Sequence, residues 1–323
     1  MRMLTRTGLF IGLVVVAAVS LTGQGSRPEP VEREHFVFYF DNPRYIDRAE
    51  SILNETRERV RAFHLDTLSY KPSVYLVEDT DRFRALVGGR FPDWGAAAAL
   101  PYHRMIVLKS PDQFNLNKPL EQLLAHEFAH LLVAEKAGNH SVPRWFDEGM
   151  AMLVSTEWGW SDNLAMSRAA VFGEFLPLAD IDKLNRFGEG KAHVAYAESY
   201  LAVHYMLDNY GKESPARFLN VIARGGSVSK ALMASTGANS REFETEFRTY
   251  LTKRFNIVTL FMDTLLFWLA LSVILLIAIY VCYRKRRQYF KKWEEEEKLQ
   301  STDFDYGDPD HPEQTDDEEP WRA

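Results

Sequence analysis

Cysteine is almost absent from this chain of 323 residues, which contains Cys282 alone. One cysteine cannot form a disulfide within the chain, and it cannot build a metal site from several thiolates. An excess of positive charge is also missing, because the formal net charge is −7 and no Lys/Arg stripe alternates with aromatics. Nucleic acid is therefore not a predicted partner. Hydrophobic residues form 46% of the chain, enough for a sizeable core.

Long apolar runs are few, and the first lies at the N-terminus. It covers Gly8–Leu21 and follows Arg2 and Arg6. A positive start before a short apolar run is typical of a secretory signal peptide, here residues 1–21, with cleavage favoured after Ser20. An uncleaved signal anchor is the alternative. No cysteine follows the run, which excludes a lipoprotein anchor.

The second apolar run, residues 257–282, is long enough to span a hydrocarbon core of about 30 Å. This length disfavours a buried core helix. Basic residues follow at Arg284–Arg287, Lys291 and Lys292, so the positive-inside rule places the C-terminus in the cytoplasm. We therefore predict a single-pass protein of the cytoplasmic (inner) membrane with its larger part outside the cytoplasm, in the periplasm. Asp263, the one charge of the span, is expected at its outer, interfacial end.

Residues 283–323 are then a cytoplasmic tail, basic at first and acidic afterwards. A short helix is expected to continue from the membrane span. From Ser301 onward Asp, Glu, Pro and Gly dominate, so the tail is predicted to be largely disordered. A cytosolic partner of the acidic tail is the alternative to solvated disorder.

Residues 31–255 are expected to form one extracytoplasmic domain. Aromatic and β-branched residues predict strands at His35–Phe40, Pro72–Asp79 and His103–Ser110. Helical periodicity then predominates, including a helix that starts near Pro119 and ends at Gly138. The later predicted helices begin near Pro143 and cover His193–Tyr210, Glu213–Ala223, Val228–Ser235 and Arg241–Arg254. Strands followed by helices predict an α+β fold.

The stretch LLAHEFAHLL, residues 123–132, carries the main chemical signal. His126 and His130 are four residues apart and share one helix face, where both imidazoles can reach one Zn²⁺. Glu127 lies about 100° around the helix, where it can act as a general base toward a metal-bound water. The alternative is a buried helix with two histidines that serve only packing.

A third ligand strengthens the metal interpretation. The metzincin pattern fails, because Val133 and Lys136 occupy the positions of its glycine and histidine. Glu135 lies on the same helix and points elsewhere. Glu148, eighteen residues after His130, falls on a second helix among large apolar residues. The predicted ligands are then both histidines and Glu148, with a water in the open position of a catalytic zinc.

The pair LLAHEFAHLL and VPRWFDEGMAM resembles the gluzincin superfamily of zinc metallopeptidases. It is most similar to small bacterial members with a peptidase MA-like domain. The segments PSVYLVEDTDRFRAL, LPLADI and AYAESYLAVHYMLDNYG occupy places similar to those in that family. The resemblance implies a zincin-like fold, in which a mixed sheet precedes the active-site helix and an all-helical part follows, and it implies a single zinc ion.

The resemblance also implies a residue that supports the oxyanion. Gluzincins of the aminopeptidase type use a tyrosine on a helix after the third ligand, and the matching position in AYAESY is Tyr196. A phenol there would stabilise charge that develops in the transition state. Tyr200 and His193 on the same predicted helix are competitors, and core packing of Tyr196 is the alternative.

The chain also departs from the family pattern. A Gly-Ala-Met-Glu-Asn motif, which binds the free amine of aminopeptidase substrates, is missing, and WGAAAALPYHRMIVL stands roughly in its place. The segment RMIVL is instead expected to hold an extended peptide by edge pairing. The acidic residue of thermolysin-type enzymes four positions after the third ligand is replaced by Met152, so the partner of His126 is not predicted.

These observations predict a membrane-anchored zinc metallopeptidase that hydrolyses a peptide or protein substrate. Zn²⁺ polarises the scissile carbonyl and acidifies its water, and Glu127 moves the proton to the leaving amine. The alternatives are a non-catalytic zincin-like module for binding or assembly, and a membrane-tethered sensor whose acidic tail signals inside.

Overall fold

The computed structural model describes residues 29–65, 68–88, 95–116, 118–138 and 140–299. The predicted signal peptide and the acidic tail from Ser301 lie outside these residues. The chain divides after Phe255 into two compact units. Secondary structure is mixed, with one sheet and a majority of helix, which confirms the predicted α+β class.

The first unit contains one five-stranded sheet in the order β1-β2-β3-β5-β4. Strands β2, β3 and β5 are mutually parallel, while β1 and β4 pair antiparallel at the two edges. The three parallel strands are those that the sequence predicts. The strands are β1 (Val31–Glu32), β2 (Val37–Phe40), β3 (Ser73–Val77), β4 (Ala97–Leu100) and β5 (Met105–Lys109).

Helices cover both faces of this sheet. Helices α1 (Ile46–Arg61) and α3 (Leu120–Lys136) pack against each other and share one hydrophobic core with β2. Helix α2 (Thr80–Val87) packs on the opposite face, where Phe83 joins side chains of β3 and β5. It begins at the side-chain cap of Asp79 and ends at Gly88. Helix α3 thus packs on one face of the sheet, together with α1, and α2 packs on the other face.

The remainder of the first unit is helical, as predicted. Helix α9 begins with a capping box between Asn239 and Glu242. Helix α5 was not predicted. The helices are α4 (Arg144–Ser155), α5 (Trp160–Phe172), α6 (Glu189–Tyr210), α7 (Ser214–Ile222), α8 (Val228–Thr236) and α9 (Ser240–Arg254).

Helices α4 and α6 make an unusually close approach at Gly149. A Cβ atom at this position would lie 2.2 Å from the carbonyl oxygen of Ser199 and 2.7 Å from Val203 Cγ2. Only glycine fits there, so α6 sets the position of α4 directly beside Glu148.

The second unit contains α10 (Ile257–Leu299), a helix of 43 residues. Its apolar side chains, including Phe267, Ile274 and Leu276, are largely exposed. Among the described residues, α10 alone is long and apolar enough to cross a membrane, judged by length and composition. The helix continues past Cys282, in agreement with the expected helical extension.

Candidate metal centre

Two largely buried histidines of α3 and the buried Glu148 of α4 converge. The Nε2 atom of His126 lies 3.5 Å from Glu148 Oε2, and the Nε2 atom of His130 lies 3.8 Å from the same oxygen. One ligand atom from each residue falls within 4.8 Å of the others. The i, i+4 spacing on α3 places both imidazoles on one face, and α4 brings Glu148 across from them.

The outward nitrogen of each imidazole meets a second carboxylate. His126 Nδ1 lies 2.7 Å from Glu157 Oε1. His130 Nδ1 lies 2.9 Å from Asp147 Oδ1, although the contact is not an aligned hydrogen bond. These contacts orient both rings and leave each Nε2 directed at Glu148. This is the arrangement that fixes the tautomer of a metal-ligating histidine.

Glu157 is the partner of His126 that sequence reasoning missed. It follows the left-handed C-cap of α4 at Thr156, nine positions after Glu148 rather than four. Its carboxylate also accepts a hydrogen bond from Ser155 Oγ at 2.6 Å and pairs with Lys118. Its side chain is 4% exposed. Glu157 lies beyond the end of α4, where helical periodicity gives no signal in the sequence. Asp147, the partner of His130, lies within the motif VPRWFDEGMAM and was therefore easier to find.

The charges of this cluster favour a bound cation. Burial alone lowers the pKa of His126, but hydrogen bonds to Glu148 and Glu157 outweigh it and raise the pKa to about 10. Burial likewise opposes the charge of His130, whose pKa the carboxylate of Asp147 raises to about 9. Burial would raise the pKa of Glu148, yet the two imidazoles and Arg144 lower it to about 2. The site thus stabilises positive charge between its carboxylates.

Glu127 lies beside the three converging residues and is 9% exposed. Burial raises the pKa of its carboxyl group, while a hydrogen bond from the backbone N–H of Ala99 acts in the opposite direction. Ala99 belongs to β4, so the edge strand holds Glu127 in place.

The structure contradicts the expectation that RMIVL offers a free strand edge. This segment is β5, which pairs with β3 on one side and with β4 on the other. Among the described strands, the edge on this side of the sheet is β4, whose alanine-rich sequence carries little β-propensity. The bond from Lys109 N to Ala96 O makes Ala96 a hydrogen-bonded residue of the ladder, so Ala97 and Ala99 direct their backbone groups away from β5.

The three candidates on α6 have different surroundings. Tyr196 lies where Arg144 and Glu148 act on it: burial and the Glu148 carboxylate raise its pKa, and a hydrogen bond from Arg144 opposes this. Tyr200 stacks on Trp158 with ring centroids 4.7 Å apart. His193 Nε2 lies 2.9 Å from Asp162 Oδ1. Of the three residues, Tyr196 has the surroundings that link it to the metal centre.

Residues 70–253, more than half of the chain, match the family model of the Peptidase MA superfamily. The chain belongs to the Peptidase MA superfamily. No curated protein matches the sequence. Peptidase MA proteins are generally zinc-dependent, and two imidazole nitrogens with one carboxylate oxygen are a donor set that suits Zn²⁺ and leaves a coordination position open. The partly exposed, carboxylate-oriented histidines and the buried Glu148 therefore fit this metal.

Proposed function

We propose that this protein is a membrane-anchored zinc metallopeptidase of the gluzincin type. The observation that carries the proposal is the convergence of His126, His130 and Glu148, with Glu127 held beside them. Packing alone does not explain why two imidazoles and four carboxylates gather in one largely buried place, because buried ionisable groups are expensive unless they are paired or bind a metal.

The three converging residues would hold one Zn²⁺, through Nε2 of each histidine and a carboxylate oxygen of Glu148. When bound, the ion would supply Lewis-acid polarisation of a peptide carbonyl and lower the pKa of a water. Glu157 and Asp147 orient the histidines and increase their basicity. Arg144 Nη2, 2.9 Å from Glu148 Oε1, fixes the carboxylate so that its other oxygen faces the imidazoles.

Glu127 acts as the general base. Its carboxylate takes a proton from the attacking water and delivers it to the leaving amine. Burial raises the pKa of its carboxyl group, which makes the carboxylate a stronger acceptor for the proton of the water. The Ala99 N–H donor keeps the carboxylate from turning away.

The substrate would lie extended along β4. The outward N–H and C=O of Ala97 and the C=O of Ala99 offer a peptide the hydrogen bonds of an added strand, while the Ala99 N–H is used by Glu127. Tyr196 would then support the oxyanion with its phenol, because its raised pKa keeps it protonated and able to donate. In this arrangement β4 would bind the peptide backbone, and α6 would stabilise the charge that develops on the oxyanion.

The membrane anchor would be α10, with the catalytic unit outside the cytoplasm and the C-terminus inside. The basic residues that follow Cys282 support this orientation. The bilayer and a peptide or protein substrate are then the partners, and the acidic tail remains a candidate for a cytosolic one.

The decisive experiment replaces the general base. Glu127→Gln should retain about one zinc per chain by elemental analysis and lose at least about 100-fold of peptidase activity. Glu135→Gln is the matched control, because Glu135 lies on the same helix and contacts Ser69 instead of the site. A Glu127→Gln protein that cleaves as well as the wild type would show that the mechanism is wrong.

Comparing newly formed protein termini in cells with wild-type or Glu127→Gln protein would identify substrates. A wild-type chain that binds zinc and cleaves no member of a peptide library would instead favour the non-catalytic binding or assembly module.

A further inference from the structure

A cavity of about 270 Å³ lies against the face of α3 that points away from the metal centre. Its floor includes Phe128, which stands two residues after His126 and therefore projects about 200° around the helix from it. The cavity also borders the starts of β2 and β3, through Phe36 and Pro72. It is thus separate from the metal centre, and nothing in the proposed peptidase mechanism uses it.

The floor of this cavity is apolar and formed by buried side chains. Phe36 and Phe128 are each 1% exposed, and their rings meet edge to face with centroids 5.6 Å apart. Leu68 and Pro72 complete the apolar lining. Such a surface accepts an apolar or aromatic group of a small molecule, because burial there removes apolar area from water.

The rim carries one cation that is not ion-paired. Arg57 lines the cavity and donates a single long hydrogen bond, from Nη1 to Asn54 Oδ1 at 3.3 Å. Within the described part of the chain it forms no salt bridge. Lys71, the other cation of the lining, is paired with Glu32 at 2.7 Å. Partial burial and the nearby charge of Arg61 lower the pKa of Arg57, and the charges of Glu58 and Glu34 act in the opposite direction without forming an ion pair with it in the described part of the chain.

We propose that this cavity binds a small carboxylate with an apolar or aromatic body, such as the C-terminal residue of a peptide or an N-acylated amino acid. The body would occupy the Phe36–Phe128 floor, and the carboxylate would pair with the planar fork of the Arg57 guanidinium. Glu34 on the rim disfavours a doubly charged phosphate. The volume is suited to a small molecule and excludes a folded partner.

The proposal is tested by ligand binding and does not require peptidase activity. The probe is N-acetyl-4-fluorophenylalanine, followed by fluorine NMR line broadening with the full chain in lipid nanodiscs. The neutral amide of the same compound is the matched probe. We expect saturable binding of the acid and at least about tenfold weaker binding of the amide, since the amide lacks the charge-assisted contact.

Variants separate the cavity from other surfaces. Arg57→Gln should weaken binding of the acid at least about tenfold. Arg61→Gln should not, because Arg61 lies one turn further along α1, is exposed, and pairs with Glu58 at 2.6 Å. Circular dichroism verifies that both variants fold. If a variant does not fold, the comparison of the acid with the amide still tests the proposal, because it uses the wild type alone.

Removal of metal with a chelator distinguishes this site from the metal centre. Binding that persists after metal removal supports the cavity, whether or not the chain is a peptidase. Loss of binding on metal removal would place the carboxylate at the metal centre and overturn the proposal. Equal binding of acid and amide, or no binding of either at millimolar concentration, would also overturn it.

Discussion

At the scale of single residues, the second nitrogen of each histidine is expected to determine how firmly the proposed site holds a metal. His126 Nδ1 meets Glu157, which is buried and fixed in turn by Ser155 and Lys118. Glu157→Gln keeps an acceptor for the imidazole N–H and removes the negative charge. We expect zinc affinity to fall by about 10- to 100-fold, measured by competition with a chromophoric chelator.

The control for this prediction is Glu174→Gln, which removes an exposed carboxylate and should leave zinc affinity unchanged. Equal affinities of wild type and Glu157→Gln would mean that Glu157 holds the chain around Thr156 without tuning the metal.

Residues with a helical spacing were predictable, and residues beyond a helix end were not. His126, Glu127 and His130 are related by the geometry of one helix, so their proximity follows from the sequence alone. Glu148 required a second helix, which the apolar residues around it indicated. Glu157 comes to His126 through the turn after α4, and no local rule predicts where such a turn directs the chain.

At the scale of secondary structure, β4 connects the sheet to the site. Its ladder bonds leave the N–H of Ala99 free to donate to Glu127. Ala99→Pro should therefore preserve the β4–β5 pairing, because proline is tolerated where the N–H faces away from the ladder. It should lower kcat/KM by about 10- to 100-fold, as expected for a lost bond to a charged group of about 1.5–3 kcal/mol.

Ala98→Pro is the matched comparison for the edge strand. Ala98 opposes Val107 as a hydrogen-bonded pair, so proline there should disrupt the strand and lower thermal stability. Full activity of Ala99→Pro would show that the Ala99 N–H does not hold Glu127 for catalysis.

The close contact between α4 and α6 at Gly149 leads to a prediction about stability. Gly149→Ala would push a methyl group onto the carbonyl of Ser199, and backbone atoms cannot rotate out of the way. We expect a loss of roughly 1–3 kcal/mol in the free energy of unfolding. Zinc affinity should fall with it, because Glu148 would move with α4.

Gly190→Ala is the control for this prediction, since its Cβ would meet only a distant Arg168 side-chain atom, at 3.9 Å. Urea unfolding and zinc titration of both variants measure the difference. A Gly149→Ala protein as stable as Gly190→Ala would mean that α4 and α6 separate freely.

The elements themselves were predictable to different degrees. The parallel strands are dense in aromatic and β-branched residues, and the long helices have apolar faces, so both were recognised. Strand β4 reads Ala-Ala-Ala-Leu, and β1 has two residues, so propensity does not mark either. Their order in the sheet is set by tertiary pairing, which is why the edge was assigned to β5 instead of β4.

At the scale of the whole molecule, α10 is longer than a bilayer requires. Its 43 residues span about 65 Å at roughly 1.5 Å per residue, against a hydrocarbon core of about 30 Å. The apolar part ends at Cys282, and six cations follow within ten residues. If these cations set the orientation, the helix continues into the cytoplasm. The first unit, which ends at Phe255, then lies outside the cytoplasm.

Protease protection measures this orientation. With a C-terminal epitope, protease added to spheroplasts should degrade the unit before α10 and leave a protected fragment that carries the epitope.

Replacing the six cations by glutamine should reduce the protected fraction, because loop charge adjacent to a span sets its orientation. Replacing Glu294–Glu297 by glutamine is the matched control and should have little effect, since acidic residues contribute little to topology. An epitope digested from outside, while the unit that ends at Phe255 stays intact, would reverse the topology and place the proposed peptidase in the cytoplasm.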